Sequence, residues 1–74
     1  MRTVTIKDEF IKLGQVLKLA GLVGSGVEAK EVITSGQVKV NGETEDRRGR
    51  KIYDGYEIEY NNETIVVKAP ASEE

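Results

Sequence analysis

The sequence contains no cysteine and no histidine. Without cysteine the chain cannot form a disulfide, so the cytoplasm is the simplest location to expect. Without either residue it cannot build an ordinary zinc site, a Ser-His or Cys-His nucleophile, or an imidazole acid–base catalyst. We therefore expect a protein that is not an enzyme and has no metal or cofactor.

Long apolar runs are also missing. No run approaches the roughly 20 residues that span a bilayer, and the first residues lack the apolar segment of a signal peptide. The 74 residues allow one domain with a small core, which buries about 60% of the surface that the unfolded chain exposes. We expect one domain over residues 1–69, a flexible acidic tail over 70–74, no membrane partner and a monomer.

The charges are unevenly distributed along the chain. Eleven basic and thirteen acidic residues give a net charge of −2, which by itself disfavours a nucleic-acid partner. Binding responds to the local field, however, and the segment 47–51 places four cations in five residues. The overall charge therefore does not exclude a local anion-binding surface.

Apolar spacing predicts two helices. The first has apolar residues at intervals of three and four, the period of an amphipathic helix: Phe10, Leu13, Val16, Leu17 and Ala20. Two starts are open, because Asp8 can cap the helix or residues 9–11 can form an extended lead before a start near Lys12. The helix should end at Gly21, and Phe10 is expected in the core.

The second helix carries clearer signals at both ends. Ser25 followed by Glu28 matches a capping box, and Gly36 predicts the end. Ala29, Val32 and Ile33 form its predicted buried stripe. Two helices joined by about five residues should pack as a helical hairpin.

The remaining chain predicts strands and turns. Alternation predicts strands over residues 2–7, 38–40, 56–60 and 63–68. Asn41-Gly42 predicts a type I′ hairpin turn, after which residues 43–48 return as a partner strand or a loop. Further turns are predicted at 52–55 and 61–62. The predicted order is β-α-α-β-β-β-β, an α+β fold with the helical hairpin packed on a small, mostly antiparallel sheet.

The densest candidate for chemistry is the cationic cluster of Arg47, Arg48, Arg50 and Lys51 around Gly49. Arginine presents a planar fork that matches phosphate oxygens, and lysine adds a point charge. The alternative is a solvated loop in which these cations pair with Glu43, Glu45 and Asp46.

The helices supply further candidates. Lys12, Gln15 and Lys18 lie within about 120° on a helical wheel, and Lys30 lies beside the buried stripe of the second helix. The start of that helix at Ser25 can bind an anion, although ordinary capping explains it equally. We expect the three tyrosines to pack the sheet rather than to stack bases.

The segment from Lys12 to Tyr60 resembles the S4-type RNA-binding domain, also called the alpha-L motif. The residues that carry the resemblance are Leu13, Leu17, Ala20-Gly21-Leu22, Ser25, Ala29, Val32-Ile33, Gly36-Gln37-Val38, Val40-Asn41-Gly42, Asp54-Gly55 and Ile58. Short stand-alone bacterial proteins of this family also share the strings at Leu17-Lys18-Leu19, Ser25-Gly26, Ala29-Lys30 and 47–51. Many family members have an arginine directly after the serine, where this chain has Gly26.

The resemblance implies RNA bound across the helical hairpin and the adjoining strands. The implied RNA-facing positions are Lys12, Gln15, Lys18, Ser25, Lys30, Lys39, Arg47, Arg48, Arg50 and Lys51. We hypothesise that the three arginines replace the contact missing at Gly26. The expected function is non-catalytic recognition of structured RNA, either ribosomal or transfer RNA, by a ribosome-associated protein. The alternative is a protein-interaction module that docks on a ribosome or an RNA-processing complex.

Overall fold

Two helices and seven strands make up residues 1–70, the part of the chain that a computed structural model describes. Their order is β1 (Arg2–Thr5), β2 (Phe10–Lys12), α1 (Leu13–Leu19), α2 (Gly26–Thr34), β3 (Lys39–Val40), β4 (Glu43–Thr44), β5 (Lys51–Tyr53), β6 (Glu57–Tyr60) and β7 (Glu63–Lys68). Most of the predicted acidic tail, residues 71–74, lies outside the described residues.

Five strands form the main sheet in the order β1-β7-β6-β3-β4. Strand β1 runs parallel to β7, with Val4 opposite Val67, and the other pairs are antiparallel. Strands β2 and β5 form a separate antiparallel pair. The predicted fold, a helical hairpin packed on a mostly antiparallel sheet, is confirmed.

The predicted order missed β2 and β5. Residues 10–12 are extended and α1 begins at Leu13, so of the two starts left open the later one is correct. Ile52 and Tyr53, predicted within a turn, instead pair with Ile11 and Phe10. Each strand has only three residues and is stabilised by a partner about forty positions away, so no local period could reveal it.

The two turns predicted at Asn41-Gly42 and at 61–62 are confirmed, whereas of the turn predicted at 52–55 only the second half is correct. Asn41 and Gly42 have φ of 52° and 87°, and Asn61 and Asn62 have φ of 54° and 65°, as a type I′ turn requires. The Asn41 side chain accepts a hydrogen bond from the backbone amide of Glu57 at 2.9 Å. This contact fixes the first turn against β6.

One core joins the helices to both sheets. Its fully buried side chains come from every layer: Leu13, Val16, Leu17, Ile33, Val38, Ile52, Ile58, Ile65 and Val67. The expectation for Phe10 was wrong, since this residue is only half-buried and pairs with Tyr53 on the outer face of β2–β5. Within residues 1–70 no helix has the length and apolar character needed to cross a membrane.

Candidate nucleic-acid interface

The basic loop at residues 47–51 is held directly against the start of α1. The backbone amide of Leu13 donates to the carbonyl oxygen of Arg50 at 2.9 Å, and that of Gly14 donates to Arg48 at 3.0 Å. Amides in the first turn of a helix have no partner within the helix itself. The loop satisfies two of them, so it is positioned by backbone contacts that do not involve its own cationic groups.

A groove runs between the two helices and this loop, with a volume of about 500 Å³. We call it the helix groove and define it by its lining residues: Lys12, Gly14, Gln15, Lys18, Gly26, Ala29, Arg48 and Gly49. Three of these eight residues are cations, none is acidic, and three are glycines that leave backbone at the surface. The groove therefore combines positive charge with a close approach to the main chain.

Four of the predicted site residues meet in this groove. Lys12 is the last residue of β2, directly before α1. Gln15 and Lys18 come from the polar face of α1, and Arg48 comes from the loop. The Gln15 side chain accepts a long hydrogen bond of 3.4 Å from the backbone amide of Lys12. The convergence of helix and loop cations is thus a property of the tertiary fold.

Lys12 and Lys51 face each other directly across the pair β2–β5. Ile52, the neighbour of Lys51, is fully buried, and successive strand residues point to opposite faces. Both lysines therefore lie on the outer face, where both are exposed. Like charges placed opposite each other in a sheet repel, so an anion bound between them would relieve that repulsion.

Glu45 binds two of the four loop cations. Its carboxylate accepts hydrogen bonds from Arg47 Nε at 2.9 Å and Nη2 at 3.1 Å, and from Arg50 Nη1 at 2.6 Å. The hydrogen bond from the Arg47 side chain is the main cause that lowers the pKa of Glu45 from 4.5 to about 2. The pairing alternative from the sequence is thus correct for Arg47 and Arg50, although one carboxylate offsets only one of their two charges.

Beyond the loop lies a second depression, which we call the tyrosine groove. Its lining residues are Arg47, Gly49, Arg50, Lys51, Tyr53 and Tyr56. Gly49 borders both grooves. The loop therefore divides its cations, with Arg48 on the helix groove and the other three on the tyrosine groove.

Ser25 caps α2, as predicted. Its hydroxyl oxygen accepts a hydrogen bond from the backbone amide of Glu28 at 3.1 Å. The Glu28 side chain accepts from the amide of Gly24 at 2.8 Å, one residue earlier than a standard capping box would place it. Lys30 is exposed and lies one helical turn beyond Gly26, but it does not line the helix groove.

Lys39 is not brought to either groove. It lies on the main sheet opposite Glu59, in a separate depression with Tyr60 and Asn61. Opposite charges at such a cross-strand position attract. Lys39 therefore lies apart from both grooves, beside a carboxylate that can balance its charge.

The sequence analysis did not single out two residues that line these grooves. Gly14 makes room for Arg48, and Tyr53 is an exposed aromatic residue beside the basic loop. Among residues 1–70 no cluster of three or more potential metal-ligating side chains occurs.

Comparisons with known proteins identify relatives of this chain. A family model described as the S4 domain matches residues 4–68. The chain is 46% identical over 56 residues to the "Probable ribosome maturation protein RlbA" of Bacillus subtilis (strain 168), covering 76% of this chain and 79% of that protein. It is 38% identical over 63 residues to the "Putative RNA-binding protein YbcJ" of Escherichia coli (strain K12), covering 85% of this chain and 90% of that protein.

The fold also matches a solved structure. The solution structure of YbcJ from E. coli, described as revealing an alfaL motif involved in RNA-binding, superposes with a TM-score of 0.72 at 37% sequence identity. The match covers 93% of this chain and 89% of that one.

Proposed function

The chain belongs to the S4 domain family, and from this premise we propose that it is a non-catalytic protein that binds structured RNA. The helix groove forms the centre of the interface, and the exposed residues Ser25 and Lys30 extend it along α2. The relatives support the proposal, because one of them is named as RNA-binding and one is named for ribosome maturation.

The observation that carries the proposal is the meeting of Lys12, Lys18 and Arg48 in one groove without an acidic lining residue. The arginine fork can bind two oxygens of one phosphate, while the lysines act as point charges. The groove reads the shape and charge of a backbone rather than base edges, since its other surface is glycine, glutamine and alanine. Such contacts position a folded RNA without reading its sequence directly.

Ribosomal RNA is the RNA that we propose, in a role during ribosome maturation in the cytoplasm. The relative that is 46% identical and bears the ribosome maturation name supports this choice over transfer RNA. We further propose that the protein binds as a monomer, since a single chain supplies the whole groove.

The test is filter binding of a ribosomal RNA hairpin over a series of salt concentrations. Each phosphate neutralised on a duplex contributes about 0.9 to the slope of log affinity against log salt. Three groove cations therefore predict a slope between about −2 and −3. Because the proposed role is non-catalytic, the RNA should be recovered intact. A slope near zero would contradict RNA binding through the groove and would favour a protein-docking module.

A further inference from the structure

We propose that the tyrosine groove binds an unpaired nucleotide of the same RNA, with its base stacked on Tyr53 and its phosphate held by Arg47 and Lys51. This inference rests on the proposed function and deepens it, because it assigns a single-stranded nucleotide to a site next to the structured RNA. The two grooves meet at Gly49, so one RNA chain can pass from the first to the second.

Tyr53 has the exposure and the support that a stacking platform needs. Its residue surface is 41% exposed, and its ring centroid lies 5.7 Å from that of Phe10 and 5.8 Å from that of Tyr56. Tyr56 is itself half-buried and packs against the core. Tyr53 thus packs on the face of its sheet between two aromatic neighbours, as predicted, and part of its surface still remains exposed to solvent.

Cations surround this platform. Lys51 Nζ lies 4.9 Å from the centroid of the Phe10 ring, and the guanidinium carbon of Arg50 lies 5.7 Å from that of Tyr56. The Arg47 side chain is 70% exposed and uses Nε and Nη2 for Glu45. Its Nη1 is therefore available for a phosphate oxygen.

The chemistry selects an unpaired nucleotide rather than a duplex. A base within a helix is covered by its neighbours, whereas an unpaired base can present a face to an aromatic side chain. The nearby cations supply the phosphate contacts that single-stranded binding surfaces combine with stacking. The opposed lysines Lys12 and Lys51 border one groove each and so mark the path of the backbone between them.

The experiment compares two RNAs, a blunt hairpin and the same hairpin with a short single-stranded extension. The wild-type protein should bind the extended RNA more tightly. Tyr53→Ala should lose about tenfold in affinity for the extended RNA, the order of one base–aromatic stack, and leave the affinity for the blunt hairpin unchanged. Tyr53→Phe should keep the higher affinity for the extended RNA. Leu19→Ala is the control, because Leu19 is 56% exposed on α1 and lies outside both grooves, and it should not change the affinity for either RNA.

A fluorescent variant gives a direct readout. The chain has no tryptophan, so Tyr53→Trp adds a single reporter at the site. Its emission should be quenched by the extended RNA and not by the blunt hairpin. An extension that adds no affinity and no quenching, or a Tyr53→Ala variant equally weakened toward both RNAs, would overturn the inference while the blunt hairpin still binds. Failure of the wild-type protein to bind even the blunt hairpin would overturn the proposed function as well.

Discussion

Arg48 crosses the surface of α1 at Gly14, where the helix has no side chain. A β-carbon placed at position 14 would lie 3.1 Å from Arg48 Cγ, which is closer than ordinary van der Waals contact. The backbone of Arg48 cannot retreat easily, because its carbonyl oxygen accepts the Gly14 amide at 3.0 Å. Gly14 therefore sets the direction in which Arg48 enters the helix groove.

Gly14→Ala should weaken RNA binding several-fold without unfolding the protein. The added methyl group displaces the Arg48 side chain, while alanine favours the helix over glycine by up to about 1 kcal/mol and offsets the crowding. Filter binding and thermal unfolding measure the two effects separately. Gly24→Ala is the matched control, because a β-carbon there meets only Glu28 Oε1, at an ordinary 3.5 Å. Equal losses of affinity in both variants would contradict the role of Gly14.

Neutralising single cations should separate the groove from the rest of the surface. Arg48→Gln removes a charge from the helix groove and should reduce the steepness of the salt dependence by about 1. Lys39→Gln removes the same charge from the main sheet, where Glu59 is the cross-strand neighbour, and should leave the slope unchanged. Salt titrations of both variants on one RNA hairpin measure the difference. A larger change of slope for Lys39→Gln than for Arg48→Gln would show that Lys39, and not Arg48, contacts the RNA.

Reversing the charge of all three loop arginines would be a poor test of the same idea. Arg47 and Arg50 satisfy the carboxylate of Glu45, which is only 7% exposed. Glutamates at those positions would place like charges against a buried group and destabilise the fold. A single substitution at Arg48, which does not pair with Glu45, changes RNA binding without this loss of stability.

Glu45 should make stability depend on pH in the acid range. The pKa of its carboxyl is about 2 in the folded protein against an ordinary 4.5, so between these values the unfolded chain binds more protons. The stabilisation is therefore complete above pH 4.5 and is lost as the pH falls toward 2. Urea unfolding, monitored by circular dichroism at several pH values, should show the free energy of unfolding falling over this range.

The matched variant for that measurement is Glu45→Gln. At neutral pH it should lower the free energy of unfolding by about 1–3 kcal/mol, because the arginines lose a charged acceptor. The difference between the wild-type protein and the variant should shrink as the pH falls below 4.5. A difference that stays constant down to pH 2 would show that the ion pairs do not stabilise the fold.

Local signals predicted the elements whose residues lie close together in sequence. The stripe of Ala29, Val32 and Ile33 and the Asn41-Gly42 turn depend on neighbours within four positions, so the pattern alone locates them. The pairing of Phe10 with Tyr53 has no such local cause and could not be derived.

The same distinction between local and long-range causes applies to the candidate site. The helical spacing predicted one shared face for Lys12, Gln15 and Lys18, and they do line one groove, although Lys12 belongs to β2 and not to the helix. The sequence could not show which loop cations join them, because the loop direction is set by long-range backbone contacts with α1. It also could not choose which carboxylate pairs with the arginines, since Glu43, Glu45 and Asp46 were all near in sequence and Glu45 is the one that is buried.

Gly26→Arg should strengthen RNA binding. Gly26 borders the helix groove, and a β-carbon there meets no atom within 4 Å, so a long side chain can enter without displacing a neighbour. The new guanidinium adds a phosphate contact, which should raise affinity several-fold and steepen the salt dependence by about 1. The first turn of a helix disfavours a cation by about 0.3–1 kcal/mol, so a slightly lower thermal stability should accompany tighter binding.

Gly26→Gln adds a polar side chain without the charge, and it should leave the salt dependence unchanged. An arginine variant with unaltered affinity and slope would place the RNA outside the helix groove.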